Sequence, residues 1–330
     1  MGIKNVSLKT IASECGVSIM TVSRALRDSD EISEETKKKI RQLALELGYM
    51  PNHVAQSMRK DEKPVIAILI DDYTNLYYNA FMNELMTLVK EKNEYDFEII
   101  YFKNFDAEVV KQCILQRVDL IVTHVIPTQK VYELINVNKI QTIIVGSCNS
   151  NFDIDVVSID NEMGSILAAR YLRNFHNCNK YIYIGVDYFL SDKRRECFID
   201  ELNKIHDGEY DIKTFYADKE PIKKLYKYIV DGYRNIFIYN DGFAYRILNL
   251  LDNIALDIRR TFPDLHLVGF DGLCEYFPGM KQITTIKINY SEFANATYEV
   301  IHNRMEKRNY PKQNIILPVS LHQRKIIKND

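Results

Sequence analysis

Leu8-Lys9-Thr10-Ile11-Ala12-Ser13-Glu14-Cys15-Gly16-Val17-Ser18-Ile19-Met20-Thr21-Val22-Ser23-Arg24-Ala25-Leu26 holds two short helical patterns on either side of one glycine. In the first, Leu8, Ile11, Ala12 and Cys15 recur at the spacing of a single helix face. Gly16 permits the positive φ of a tight turn. Val17 plugs the corner, and Ser18 is a good N-cap for a second helix beginning at Ile19. On that helix Val22, Ala25 and Leu26 turn inward, and Ala12 is small where the two helices cross opposite Val22. A generic helical hairpin needs none of these coincidences, so the stretch predicts a helix-turn-helix.

The inward register leaves Ile19, Met20, Ser23 and Arg24 on the outer side of the second helix, with Ser18 at its start. In a DNA reader the first residues of this helix meet base edges. Arg24 has the fork geometry to donate two hydrogen bonds to guanine O6 and N7. Ile19 and Met20 are wasteful against water but suit a thymine methyl. Ser18, Thr21 and Ser23 carry hydroxyls for phosphate oxygens, aided by the helix N-terminus. A third helix is predicted from about Ser33, its cap, to Leu47. Glu34 and Glu35 fall in its first turn, with Lys37 to Lys39 behind them as the helix dipole prefers. Ile40, Leu43, Ala44 and Leu47 make its inner stripe, Gly48 ends it, and the lysine run reads as a solvated face.

Net charge is −2, but it is unevenly spread. Residues 1–60 hold ten Lys/Arg against seven Asp/Glu, while the remainder holds 33 against 38. A basic first segment on an acidic body suits a chain that touches DNA at one end. The 330 residues exceed what a headpiece needs, and their 46% hydrophobic content is that of an ordinary globular protein. No apolar run has the length of a membrane span, and the start lacks the apolar core of an export signal. A cytoplasmic protein is therefore expected. The six cysteines form no Cys-x-x-Cys pair and the seven histidines show no ligand spacing. Reduced thiols, no metal and no cofactor are the expectation.

After the third helix come Gly48-Tyr49-Met50-Pro51-Asn52 and Ala55. Together with Gly16-Val17-Ser18 and Thr21-Val22-Ser23-Arg24, they make residues 7–58 similar to the headpiece and hinge of the lactose/galactose repressor (LacI/GalR) family of bacterial transcriptional regulators. The resemblance implies a DNA-contacting set of Ser7, Leu8, Ser18, Ile19, Met20, Thr21, Ser23, Arg24, Tyr49, Asn52, Ala55, Gln56 and Met58. It also implies that residues from Asn52 to about Arg59 form a hinge helix. So short a helix is marginal alone and should form only when paired with its dimer mate on DNA. In the family a leucine from each hinge wedges into the minor groove; Met58 stands at that place.

From Pro64 onward apolar strands alternate with amphipathic helices. Strands are predicted at 65–70, 98–102, 120–123 and 142–145, with helices at 77–92, 107–116 and 129–138. The pattern repeats as helix 161–175, strand 181–185, helix 192–206, strand 212–216, helix 219–231, strand 235–239, helix 241–255 and strand 265–270. This argues an α/β body of two doubly wound parallel-sheet lobes carrying an all-α headpiece. It resembles the periplasmic-binding-protein-like sensor body of the same family, down to the closing Leu317-Pro318-Val319-Ser320-Leu321. The expected domains are a headpiece over 1–49, a hinge over 50–61 and an effector-binding, dimerising body over 62–330. Within the body the N-lobe is read as about 62–158 and 288–316, and the C-lobe as about 159–286 and 318–330.

Parallel sheets present ligand groups at the carboxyl ends of their strands. The residues there that match the family pattern are Asp72, Asn75, Tyr77, Tyr78, Arg194, Asn240 and Asp271. An amide, a carboxylate and a guanidinium beside aromatic faces suit a sugar, because planar groups bond adjacent hydroxyls and rings cover the C–H face. Each has a plainer reading: a helix cap for Asp271, a core ring for Tyr77 or Tyr78. Two departures stand out. Gly146-Ser147 replaces the Asp-Arg frequent in the family, and Leu76 replaces a proline, which admits ligands beyond a simple monosaccharide. Tyr188, Phe189 and Tyr276 are candidates for further aromatic lining.

The implied function is operator binding as a homodimer under the control of a sugar-like effector. With no heptad repeat after the last strand, a dimer is expected rather than a tetramer. Two alternatives use the same body. A cleft enzyme would need a Gly-x-Gly-x-x-Gly, a Walker loop or a Gly-x-Ser-x-Gly elbow, and the sequence has none. A solute-binding sensor protein would need an export signal where this chain has a DNA reader.

Overall fold

The computed structural model describes residues 8–26, 31–46, 63–146, 152–175, 179–207, 209–255, 257–277, 280, 283–307 and 309–324. They fall into two units, one within residues 1–69, 95–121 and 127–141, the other within 70–94, 122–126 and 142–330.

The first unit begins with helices α1 (Leu8–Cys15), α2 (Ile19–Leu26) and α3 (Glu34–Glu46). Ile11, Ala12, Val22, Ala25, Ile40 and Ala44 form their shared core, with Leu8, Cys15, Val17 and Leu26 packed against it. Gly16 takes φ +65°, and the Val17 amide donates to the Ala12 carbonyl at 3.0 Å to close the turn. Ser33 caps α3 by accepting from the Thr36 amide at 3.3 Å. Lys37 corrects the reading of a solvated lysine face: it is 4% exposed, with its ammonium 2.6 Å from Glu34. The same unit holds β1 (Val65–Ile70) between β3 (Val118–Thr123) and β2 (Asp96–Tyr101), with α5 (Ala107–Leu115) and α6 (Gln129–Val137). Asp106 starts α5 by accepting from the Glu108 and Val109 amides.

In the second unit β5 (Asp155–Ile159) lies between β11 (Asn314–Leu317) and β4 (Gln141–Gly146), parallel to both. A six-stranded sheet runs β12 (Ser320–His322), β10 (Thr284–Lys287), β9 (His266–Asp271), β8 (Asn235–Ile238), β6 (Lys180–Gly185), β7 (Asp211–Tyr216). Its strands are parallel except β12, which pairs antiparallel with β10, Ile286 opposite Leu321. The helices are α4 (Leu76–Lys92), α7 (Asn161–Arg173), α8 (Phe189–His206), α9 (Ile222–Val230), α10 (Asp241–Ala255), α11 (Ile258–Thr261) and α12 (Tyr290–Glu306). Ile182, Ile184, Phe215, Leu225, Ile236, Leu248 and Leu251 build one of its cores. The fold is thus a small helical headpiece plus two parallel-sheet α/β lobes.

Several boundaries differ from the sequence reading for physical reasons. The helix expected from 192 starts at Phe189, and the one expected from 219 starts at Ile222, because Pro221 holds its predecessor out of the helical region. The closing strand is broken at Pro318, which has no N–H to give a ladder. Leu317 therefore ends β11 and Ser320 begins β12. Strands β5, β10 and β11 and helix α12 were not expected.

Candidate DNA-reading surface and ligand site

On α2 the inward face is filled by Val22 and Ala25, which fixes what points out. Ile19 and Met20 are 49% and 62% exposed, a large apolar area for a helix of eight residues. Ser18 accepts from the Thr21 amide at 3.0 Å, and the two hydroxyls lie 2.8 Å apart, so both are held at the start of the helix. Arg24 is exposed and ion-paired with Glu31, a solvent-screened contact that a base edge or phosphate can displace. Leu8 is partly buried against the helical core. Ser7, Tyr49, Asn52, Ala55, Gln56 and Met58 lie outside the described residues.

The second unit gathers polar groups where β8 and β9 end. Arg194, in the second turn of α8, is 3% exposed. Its Nε and Nη2 donate to Asn161 Oδ1 at 3.0 and 2.8 Å, and Nη1 donates to the Tyr239 carbonyl at 2.5 Å. The guanidinium lies 3.5 Å from the Phe270 ring centre and 5.1 Å from that of Tyr239. These contacts fix its plane and use three of its five N–H donors, leaving one on each terminal nitrogen.

Asp271 ends β9 with φ +113°, a conformation a side chain adopts only when its surroundings impose it. It is buried, which pushes its carboxyl well above the usual carboxylate range; Arg194 pulls it down and Asp241 pushes it further up. Asp241, at the start of α10, accepts from the Leu273 amide at 2.9 Å and the Thr285 hydroxyl at 2.8 Å. Burial raises it to about 7 in spite of those bonds. Asn240 accepts from the Phe243 amide at 2.8 Å through Oδ1, so its Nδ2 side is the part a ligand can use.

Tyr77 joins this group: its hydroxyl is buried without a hydrogen-bond partner, and Asp271 and Arg194 both act on it electrostatically. Its ring packs on Tyr290 at 5.9 Å, and Tyr276 meets Tyr290 edge-on at 4.9 Å. The Tyr290 hydroxyl is likewise buried without a partner. Gly146, at φ +104°, lets Tyr77 approach: a Cβ there would stand 3.3 Å from the Tyr77 hydroxyl. Three sequence candidates lie elsewhere. Tyr78 is fully buried against Phe81 and His124, Asn75 caps α4 by accepting from the Tyr78 amide, and Asp72 is exposed and holds its own turn through Thr74. Ser147 lies outside the described residues. Asn161 and Tyr290 escaped the sequence reading. Asn161 follows Ile159-Asp160 at the end of β5, so recognising that strand is the signal that would have exposed it.

A helix-turn-helix headpiece on a two-lobed α/β body defines a class, the DNA-binding regulators of transcription. Residues 7–52 match the model of the bacterial regulatory proteins, lacI family. The chain is 26% identical over 333 residues to the HTH-type transcriptional regulator RegA of Clostridium saccharobutylicum, covering 96% of this chain and 98% of that one. It is 23% identical to the sucrose operon repressor of Pediococcus pentosaceus, covering 95% and 97%. Solved structures share the fold. A LacI family regulator from Enterococcus faecium with bound ribose superposes with a TM-score of 0.65 at 19% identity, covering 79% of this chain and 97% of that one. The lac repressor dimer bound to operator and the anti-inducer ONPF gives 0.63 at 18%, covering 98% and 99%. Residues 7–52 thus carry a headpiece of the lacI type, and the relatives matched over nearly the whole chain are transcriptional regulators rather than enzymes. No helix among the described residues is long and apolar enough to cross a membrane.

Proposed function

We propose that this chain is a cytoplasmic repressor that binds a near-palindromic operator as a homodimer and is switched by a sugar-like effector. The domains are the headpiece over 1–49, the hinge over 50–61 and the sensing body over 62–330. Arg24, Ile19 and Met20 read base edges, with Ser18, Thr21 and Ser23 toward phosphates. Arg194, Asn240, Asp271 and Tyr77 contact the effector. The observation that carries the reading is the pair of buried hydroxyls, Tyr77 and Tyr290, that lack a hydrogen-bond partner beside the Asp271 carboxyl, together with a guanidinium with donors to spare. Leaving a buried polar group unmade is costly, on the order of 1–3 kcal/mol. A polyol removes that cost, since each hydroxyl both donates and accepts. The names of the sucrose operon repressor and the ribose-bound regulator agree with this chemistry.

A second copy would cover the apolar residues left exposed on β2, Ile99 and Tyr101, and on α10, Leu250 and Ile254. Pairing also sets two headpieces on half-sites about one helical turn apart. Effector and operator then act on one equilibrium, and linkage makes their influence reciprocal.

The test is thermal melting of the full chain against sugars, sugar phosphates and nucleobases. A ligand at a hundred times its Kd should stabilise by about 2.7 kcal/mol, and a sugar should be among those that do. Asp271→Ala should lose that response while still binding operator. A variant that responds as the wild type does removes Asp271 from the site.

A further inference from the structure

Aromatic rings lead from the buried polar group out to solvent. Tyr239, 5.1 Å from the Arg194 guanidinium, has its ring 6.4 Å from that of Tyr188 at 71°. Tyr188 in turn meets Phe189 at 5.7 Å and 72°. The first ring is partly buried, whereas the outer two are 47% and 49% exposed. Adjacent half-wet aromatic side chains forgo much of the burial that rings normally gain on folding. The setting around them is polar. Lys219 donates to Asp187 at 2.6 Å, and the Asp187 amide donates to Asp218 at 3.4 Å. All of these residues follow the carboxyl ends of β6, β7 and β8, where a doubly wound sheet presents its ligand.

We propose that Tyr188 and Phe189 form an outer sugar subsite, so that the effector is a disaccharide or longer glycoside. This rests on the reading that the Arg194–Asp271 group takes a sugar ring. That first ring ends at Tyr239, and the next one stacks on Tyr188 and Phe189. A sugar ring suits this combination because its C–H face is apolar while its hydroxyls project around the rim. The face covers the two aromatic rings, and the rim reaches Asp187 and Lys219. Aromatic faces of this kind contribute contact area at little cost in side-chain freedom.

The experiment is titration calorimetry of the full chain with matched sugars: glucose against maltose, cellobiose and sucrose, and galactose against lactose. Wild type is compared with the Tyr188→Ala/Phe189→Ala double variant and with Asp271→Ala. At least one disaccharide should bind about tenfold or more tightly than its component monosaccharides. The double variant should bring that disaccharide down to the monosaccharide level while leaving the monosaccharide Kd unchanged. Asp271→Ala should abolish both. Equal affinity for mono- and disaccharides, or a preference that survives the double variant, overturns the outer subsite and leaves the inner site standing. If the wild type binds no saccharide, the sugar reading itself falls, and the subsite with it.

Discussion

Asp241 and Asp271 stand at the ends of neighbouring parallel strands, and burial treats their charges alike. Asp271 faces the ligand group, whereas Asp241 holds the strand ends together through Leu273 and Thr285. Gly269 makes room for it, since a Cβ there would lie 2.1 Å from Asp241 Oδ1. Its pKa is raised from 3.8 to about 7. Between those values the native state keeps a proton that the unfolded chain has released, so stability falls as pH rises through the window and is flat above it. The shift is worth at most about 4 kcal/mol. This contribution falls between pH 4 and 7, and Asp241→Asn, with no proton to lose, should make the melting temperature fall less steeply with pH than in the wild type, Asp271 supplying part of what remains. A variant whose melting temperature follows pH with the wild-type slope would remove Asp241 as a source.

Helix α7 crosses β9 at Gly164, and this close approach holds the floor of the site. A Cβ at 164 would meet the Phe270 ring at 2.5 Å and Ile286 Cγ2 at 3.1 Å, both rigidly packed. Phe270 is also the ring beneath Arg194. Gly164→Ala should therefore destabilise the body by roughly 1–3 kcal/mol through overpacking and weaken effector binding with it. Chemical denaturation checks the first and calorimetry the second; unchanged stability would mean that α7 shifts freely over the sheet. The elements legible in the sequence are those whose pattern is long or whose turn chemistry is special. The headpiece was readable because Ala12, Gly16 and Val22 each satisfy a separate steric demand, and most long helices because they repeat over several turns; α12, equally long, was missed. Strand β5 was not, since Asp155 and Ser158 interrupt a five-residue run. In the fold both are buried, and Asp155 is paired with Arg304. Strands β10 and β11 have four residues each, too few for a period to show. In the ligand site Arg194, Asn240 and Asp271 carried recognisable neighbours along the chain. Asn161 reaches Arg194 across 33 positions, a contact that only the packing of α7 on α8 creates.

The whole molecule carries a reading helix at one end of the chain and a buried polar group in its body. The outward apolar pair on α2, Ile19 and Met20, has no role in the headpiece core, which Val22 and Ala25 already fill. Its exposure makes sense as surface kept for base edges, and dimer symmetry should impose itself on the DNA as a two-fold repeat. The most direct measurement is selection of binding sites by the full chain from a pool of random duplexes, followed by affinities on the enriched site at fixed salt. The enriched site should be near-palindromic, with half-sites about one helical turn apart. On it Arg24→Ala should lose roughly 1–3 kcal/mol per half-site while random DNA is bound nearly as before. A pool that yields no enriched sequence, or a variant that loses as much on random DNA as on the selected site, would contradict it.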